Sequence, residues 1–427
     1  MFAPFAAGFF LSYVFRNVNA VIARDLAAEF SLSSADIGLL TGMYLLSFTA
    51  MQVPVGVFLD RYGPRRVVAS LLCIAALGSL GFALAGSFGE LALGRALIGL
   101  GVSACLMGSI KAFTLWFPPA RLATLNGWMI AFGGLGGLAA TSPLEALLAP
   151  LGWRAVFVGM AAGCTLASAA IFFIVPEKSL PGAGEGWGVA FARMGRVFGT
   201  LSFWRIGLPL MVCHGAYQAM QGLWLAPWLT DVGGFARAAM AAHLFATALA
   251  YAIGALFYGW FADFLADRGV PRLGLYKLGT AVAVAAFIAI AFDLVPAKMP
   301  LLMVYSFSSI SAALAYALLT RHFPAQMTGR VNTAANVAMF FVSFLCQLGI
   351  GVVLRMFPVV DGRYAPDGYI LAFGLIAAAQ CAVLAWLLPM RENAALHARP
   401  QSVPGASALD GKFGGRRFLH VTRKAHI

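Results

Sequence analysis

Charge is what this chain lacks. Charged residues make up 11% of its 427 positions, whereas a soluble globular domain carries roughly 25%. Water therefore cannot be its main solvent. Acid is scarcer than base, with 16 Asp and Glu against 29 Lys and Arg. Paired cysteine chemistry is missing as well. Cys73, Cys105, Cys164, Cys213, Cys346 and Cys381 all fall in apolar runs, and none stands at metal-ligand or redox-motif spacing. They read as small packing residues. The chain also shows no phosphate loop, zinc spacing or nucleophile constellation in a matching context. It reads as neither an enzyme nor an ATP-driven pump, and no catalytic residue, metal or cofactor is expected.

What it has in excess is hydrocarbon. Hydrophobic residues reach 61% and mean hydropathy is +0.86. Twelve continuous apolar runs lie near 4–22, 36–59, 67–86, 91–116, 123–148, 154–175, 204–229, 238–263, 274–294, 299–320, 331–356 and 368–389. Each is about 20 residues, the length that crosses roughly 30 Å of hydrocarbon as a helix. Continuity over such lengths excludes the short alternating segments of a β-barrel. These runs are numbered spans 1 to 12.

The basic residues report topology. With the amino terminus inside, Arg61, Arg65, Arg66, Arg121, Arg205, Arg268, Arg272, Lys277, Arg321 and Arg330 share one face with the basic tail. The other face keeps only Arg24, Arg154, Arg237, Lys298, Arg355 and Arg363. By the positive-inside rule both termini are cytoplasmic, so the positive charge needs no nucleic-acid partner. The expected partners are the lipid bilayer and a small-molecule substrate, the expected state a monomer in the plasma membrane, here a bacterial inner membrane. Span 1 has no basic leader and is interrupted by Arg16, so it reads as a helix and not a signal peptide. Residues 176–203 form a linker with an amphipathic stretch around Trp187–Phe198. Residues 391–427 form a basic tail with the composition of a disordered segment.

A segment recurs across the chain. Gly56-Val-Phe-Leu-Asp60-Arg61 is echoed by Gly259-Trp-Phe-Ala-Asp263, and Asp60 and Asp263 stand 203 positions apart. Phe117-Pro118 leading to Asn126 is echoed by Phe323-Pro324 leading to Asn332, 206 positions on. A repeat of half the chain means two similar helical bundles, 1–175 and 204–390.

At these residues the chain resembles the major facilitator superfamily, over essentially all of 1–390. The stretch after span 2 looks like that family's Gly-x-x-x-Asp-Arg-x-Gly-x-Arg-Arg loop, matched by Gly56, Asp60, Arg61, Gly63, Arg65 and Arg66. Leu91, Arg95, Gly99 and Gly101 resemble a second common motif, and Gly152-Trp153-Arg154 is similar to family usage. Span 5 reads Gly133-Gly134-Leu-Gly136-Gly137 and lacks the Gly-Pro pair of drug–proton antiporters. The resemblance implies an all-α membrane protein of twelve helices in two pseudo-symmetric six-helix bundles, working by alternating access. It implies a gating charge network at Asp60, Arg61, Arg65, Arg66, Arg95 and Asp263, and spans 1, 4, 7 and 10 around a central path.

Charges within spans are costly and mark function. Arg16 lies about 12 residues into span 1, hence roughly 18 Å deep. Ser12, Arg16 and Asn19 share a helix face at i, i+4 and i+7, with Tyr13 and Asn17 beside them. Arg95 and Lys111 share span 4 but point roughly 160° apart. Glu145 is the one carboxylate well inside a span and, with His214, a candidate for proton coupling. Span 7 carries His214, Gln218 and Gln221, and span 10 carries Ser306, Ser309, Tyr316 and Thr320. Stripes on span 8 (His243, Thr247, Tyr251, Tyr258) and span 11 (Asn332, Asn336, Ser343, Gln347) read as helix glue. The expected substrate contacts are Tyr13, Arg16, Asn19, His214, Gln218, Gln221, Ser309 and Tyr316. With more cation than anion along the path, the expected function is secondary active or facilitative transport of a small organic anion. Alternatives are an amino-acid or short-peptide transporter, and a transporter-like membrane sensor of solute.

Overall fold

In a computed structural model, which describes residues 1–176, 187–324 and 327–390, two glycines decide where long apolar helices turn. Gly63 (φ 80°) interrupts Ser34–Leu84, and Gly152 (φ 72°) interrupts Ser142–Ile174. Positive φ is cheap only without a Cβ. Pro64 follows Gly63 and opens the next helix, where its missing N–H costs nothing. The loop that the sequence marks by Asp60–Arg66 is therefore a sharp corner and hardly a loop.

Split at those corners, the described residues form twelve spans. Span 1 is Phe2–Phe30, spans 2 and 3 are the limbs of Ser34–Leu84, and span 4 is Phe88–Trp116. Span 5 is Pro119–Ala139 and continues through 142–151, and span 6 covers 153–174. Span 7 covers 201–231, span 8 is Arg237–Ala266, span 9 Arg272–Ala291, span 10 Lys298–Thr320, span 11 Thr328–Arg355 and span 12 Pro366–Leu387. A two-stranded hairpin, β1 (Val359–Val360) and β2 (Arg363–Tyr364), joins the last two. Residues 177–186 and the tail 391–427 lie outside the described residues. The amphipathic stretch is a helix, Trp187–Phe198, that packs on span 11 and on the helix of spans 2 and 3.

Local chemistry starts and bends these helices. Span 2 begins at a reciprocal cap, in which Asp36 N–H donates to Ser33 Oγ (3.2 Å) and Ser33 N–H donates back to Asp36 Oδ2 (3.0 Å). Span 1 runs eight residues beyond its apolar run because Arg24, Asp25 and Glu29 each find an ionic partner on another helix. Span 7 departs most from regularity, with π-helical turns at Leu210–His214 and Met220–Trp224. Span 10 contains a 3₁₀ turn at Ile310–Ala313. Such turns change the angle between successive side chains.

The two halves meet where span 2 lies against span 11. Ser34 Oγ donates to the Gly351 carbonyl (2.9 Å), a Cβ at Gly42 would run into the Phe344 ring, and Phe48 meets Phe340 edge-on (4.9 Å). Small residues let backbones approach where no hydrophobic force between helices exists. The same device seats span 1 on span 5. A Cβ at Gly136 would overlap the Phe10 carbonyl oxygen, whereas at Gly134 it would meet nothing within 4 Å. Gly136→Ala should therefore lower stability by about 1–3 kcal/mol through overpacking, and Gly134→Ala should be neutral. Thermal melts of the two purified variants check this; equal melts would remove the close approach from the account.

Candidate functional site

The centre of the bundle is built around one guanidinium. Arg16 is near the midpoint of span 1, where the ring centroids of Tyr13, Phe340 and Phe48 lie 4.7, 4.9 and 5.4 Å from its Cζ. Tyr13 and Phe48 come from the first half and Phe340 from the second, so the cage straddles the seam. The π faces offset part of the cost of placing a cation at this depth. Among the described residues no carboxylate pairs with Arg16, and its Nε has no hydrogen-bond partner. The side chain keeps part of its surface accessible. Tyr44 is a further neighbour and a side-chain hydrogen-bond partner.

The second half presents phenols and an imidazole toward it. Tyr251 lies within electrostatic reach of Arg16, Tyr13 and Tyr316. Its ring stacks on Tyr217 (4.8 Å, 7°), and its hydroxyl is 3.4 Å from His214 Nε2. Tyr316 donates to Asn336 Oδ1 (2.6 Å). Gln218 is part-exposed on the same span as His214. Of the eight residues expected to contact substrate, Tyr13 lies against Arg16, His214 lies against Tyr251 and Tyr316 bonds Asn336, with Gln218 on the turn after His214.

The other three are spent elsewhere. Asn19 is buried and donates to Thr41 Oγ1 (2.8 Å), holding span 1 to span 2. Gln221 accepts from Thr247 Oγ1 (3.0 Å) and donates to the Leu244 carbonyl (3.4 Å), holding span 7 to span 8. Ser309 donates to the Tyr305 carbonyl (2.7 Å) within its own helix. Conversely, the sequence assigned Tyr251 and Asn336 to helix glue and gave no role to Tyr44, Phe48, Tyr217 or Phe340. The aromatic ones carry no signal that separates them from core.

Arg95, expected in the gating network, is fully buried. Its Nη1 donates to the Phe15 carbonyl (3.0 Å), and it lies over Tyr44 and Phe82. It braces span 4 to span 1, sixteen residues from Lys111. Lys111 instead pairs with Asp60 (2.9 Å), so Asp60 is bound within its own half and not across the seam. On the same basic face Arg65 Nε donates to the Phe172 carbonyl (2.7 Å), Arg61 lies over Tyr62, and Arg66 is exposed. In the second half Asp263 pairs with Arg272 (2.7 Å), again within the half.

The opposite face carries the ion pairs that do cross the seam. Arg24 of span 1 bonds Asp231 of span 7, which also accepts from Tyr369 Oη (2.7 Å) and the Tyr364 N–H (3.3 Å). Arg237 of span 8 grips both oxygens of Asp25 (2.8 and 2.7 Å) and, through Nε, Glu145 (2.6 Å). Glu145, a candidate for proton coupling, is therefore part of an inter-half clamp. On the adjoining hairpin, burial pushes the Tyr364 phenol up to about 12. Arg237→Gln should unlock this face. In a cysteine-free background, maleimide should label Ala20→Cys several-fold faster with the substitution; an unchanged rate would mean that these ion pairs do not hold the face shut.

Comparison with known proteins supports the same architecture. Residues 5–347 match the sequence family described as Major Facilitator Superfamily. A probable sulfoacetate transporter of Cupriavidus necator is 26% identical over 377 residues, covering 83% of this chain and 84% of that protein. A hexuronate transporter of Escherichia coli is 25% identical over 251 residues, covering 55% and 58%. The solved structure of a bacterial homologue of the human lysosomal transporter Spinster superposes with a TM-score of 0.67 at 20% identity, covering 91% of this chain and 94% of that one. With a family match across most of its length and a shared twelve-helix fold, the chain belongs to the Major Facilitator Superfamily.

Proposed function

We propose that this protein moves a small organic anion across a bacterial inner membrane by alternating access, with the acid group of the substrate bound at Arg16. One observation carries the reading: a guanidinium at mid-depth, caged by rings from both halves and unpaired with any carboxylate among the described residues. A guanidinium offers planar, paired donors that suit a carboxylate or sulfonate, and low dielectric strengthens the attraction. The phenols of Tyr251 and Tyr316 and the part-exposed Gln218 would meet the remaining polar groups. The relatives support the class, since they are named for sulfoacetate and for hexuronates, both anions at neutral pH. Contact with both halves gives the anion a means of acting on the seam.

In this reading the Asp60–Arg66 face is cytoplasmic, with both termini on that side, and the ion-pair clamp faces outward. The conformer is then closed to the outside by Arg24 and Arg237. Geometry favours the anion over the amino-acid reading: a zwitterion needs a carboxylate for its ammonium near Arg16, and Glu145 is held by Arg237 at the clamp.

Thermal stability measured with and without sulfoacetate, glucuronate and a set of other small anions tests the assignment. A true substrate at 100 times its Kd adds about 2.7 kcal/mol to apparent stability. Arg16→Ala should lower that affinity at least tenfold, and Arg16→Lys should recover only part of it. A substrate whose affinity is the same in wild type and Arg16→Ala would refute the site.

A further inference from the structure

A second group of arginines stands on the clamped face. Between the halves, on the clamped face, lies a cavity of about 220 Å³ lined by Ala20, Ala23 and Arg24 of span 1, Thr230 of span 7, Arg237 of span 8 and Arg363 of β2, among others. Three arginines line it and no carboxylate does. Arg24 is eight residues along the helix from Arg16, about 12 Å. Ala236, which precedes span 8, lines the same space and provides no side-chain cap. The unsatisfied N–H groups of that helix start add further positive potential.

The ionic partners of these arginines reach them from outside the cavity wall. Asp231 takes one nitrogen of Arg24, and Asp25 and Glu145 together take all three nitrogens of Arg237. Arg363, exposed on the hairpin, makes no ion pair among the described residues but lies within electrostatic range of Asp231. Arg24 therefore keeps donors to spare, Arg363 keeps all of its own, and Arg237 can serve an anion only by releasing a carboxylate.

We propose that this cavity is a second, weaker site for a small oxyanion (carboxylate or sulfonate), placed before Arg16 on the path. An anion there draws on Arg24 and Arg363 and competes with Asp25 and Glu145 for Arg237. Its arrival loosens the ion pairs that hold this face closed. The inference rests on the anion reading of Arg16 and adds to it a route and a trigger. Arg363 is the informative residue, because it lines the cavity and forms none of the clamp's ion pairs.

The test uses the full-length protein with sulfoacetate and glucuronate as probes. Calorimetric titration of Arg16→Gln should retain saturable binding, weaker than wild type by about tenfold or more, and adding Arg363→Gln should abolish it. In proteoliposomes of defined orientation, Arg363→Gln alone should raise KM about fivefold for entry from the clamped face. KM from the basic face should stay the same, and Arg363→Lys should recover most of the loss. The proposal is overturned if Arg16→Gln removes all binding, or if Arg363→Gln changes neither KM or both equally. If wild type binds neither probe, the anion reading of Arg16 falls first, and this site with it.

Discussion

An unpaired cation inside an apolar bundle sets the terms for the rest of this structure. Scales for a charge at the centre of a membrane helix begin at about 2.5–3.5 kcal/mol and rise steeply for an isolated arginine. The protein meets that cost twice, in two ways. Arg95 is sealed, bonded to the Phe15 carbonyl and covered by Tyr44 and Phe82. Arg16 is left partly accessible, compensated by the faces of Tyr13, Phe48 and Phe340 and by no carboxylate among the described residues. Rings soften a positive charge without neutralising it, so the attraction for an anion survives. The first arginine holds a bundle together, and the second keeps a charge available.

The ionic contacts are distributed by the same logic. On the basic face Asp60 and Asp263 find partners within their own halves, so these two pairs do not tie the halves to each other. On the opposite face Arg24 and Arg237 reach across, and a rocking motion would have to break those bonds. The Arg237 pairs are partly exposed and worth little individually, since water replaces them readily, whereas the Asp231 side chain is buried under Arg24. A clamp of several such pairs can hold a conformer closed and still be opened by a competing anion. Apolar contact between span 2 and span 11 persists alongside, through Gly42 and the Phe48–Phe340 pair.

Much of this was legible in the sequence. Apolar run length gives twelve spans, whereas the expected loop at Asp60–Arg66 is a sharp corner at Gly63. A guanidinium twelve residues into an apolar run stands out with no structural information. What periodicity misplaced was the use of polar stripes. His214, Gln218 and Gln221 were assigned to one face at 100° per residue, but Gln221 sits in the second of two π turns and lands on Thr247. Span 10 has a 3₁₀ turn between Ser309 and Tyr316, which changes the angle between their side chains. Asn19 looked like a cavity residue, and its amide nitrogen is bonded to Thr41. A polar residue on a membrane helix bonds a neighbour or faces an interior space, and spacing alone cannot separate the two. Phe48 and Phe340 were illegible for a simpler reason: an aromatic ring in an apolar span looks like any other packing residue until the cation beside it is seen.

The central claim is that an anion crosses at Arg16, and counterflow tests it most directly. Proteoliposomes loaded with unlabelled anion would be offered the labelled form of the same anion, for wild type and for Arg16→Ala. The account predicts rapid exchange of an anion that stabilises the protein, lost in the variant. Stabilisation without exchange would contradict transport and leave a protein that only senses its ligand. Exchange that survives Arg16→Ala would show that the anion takes another path.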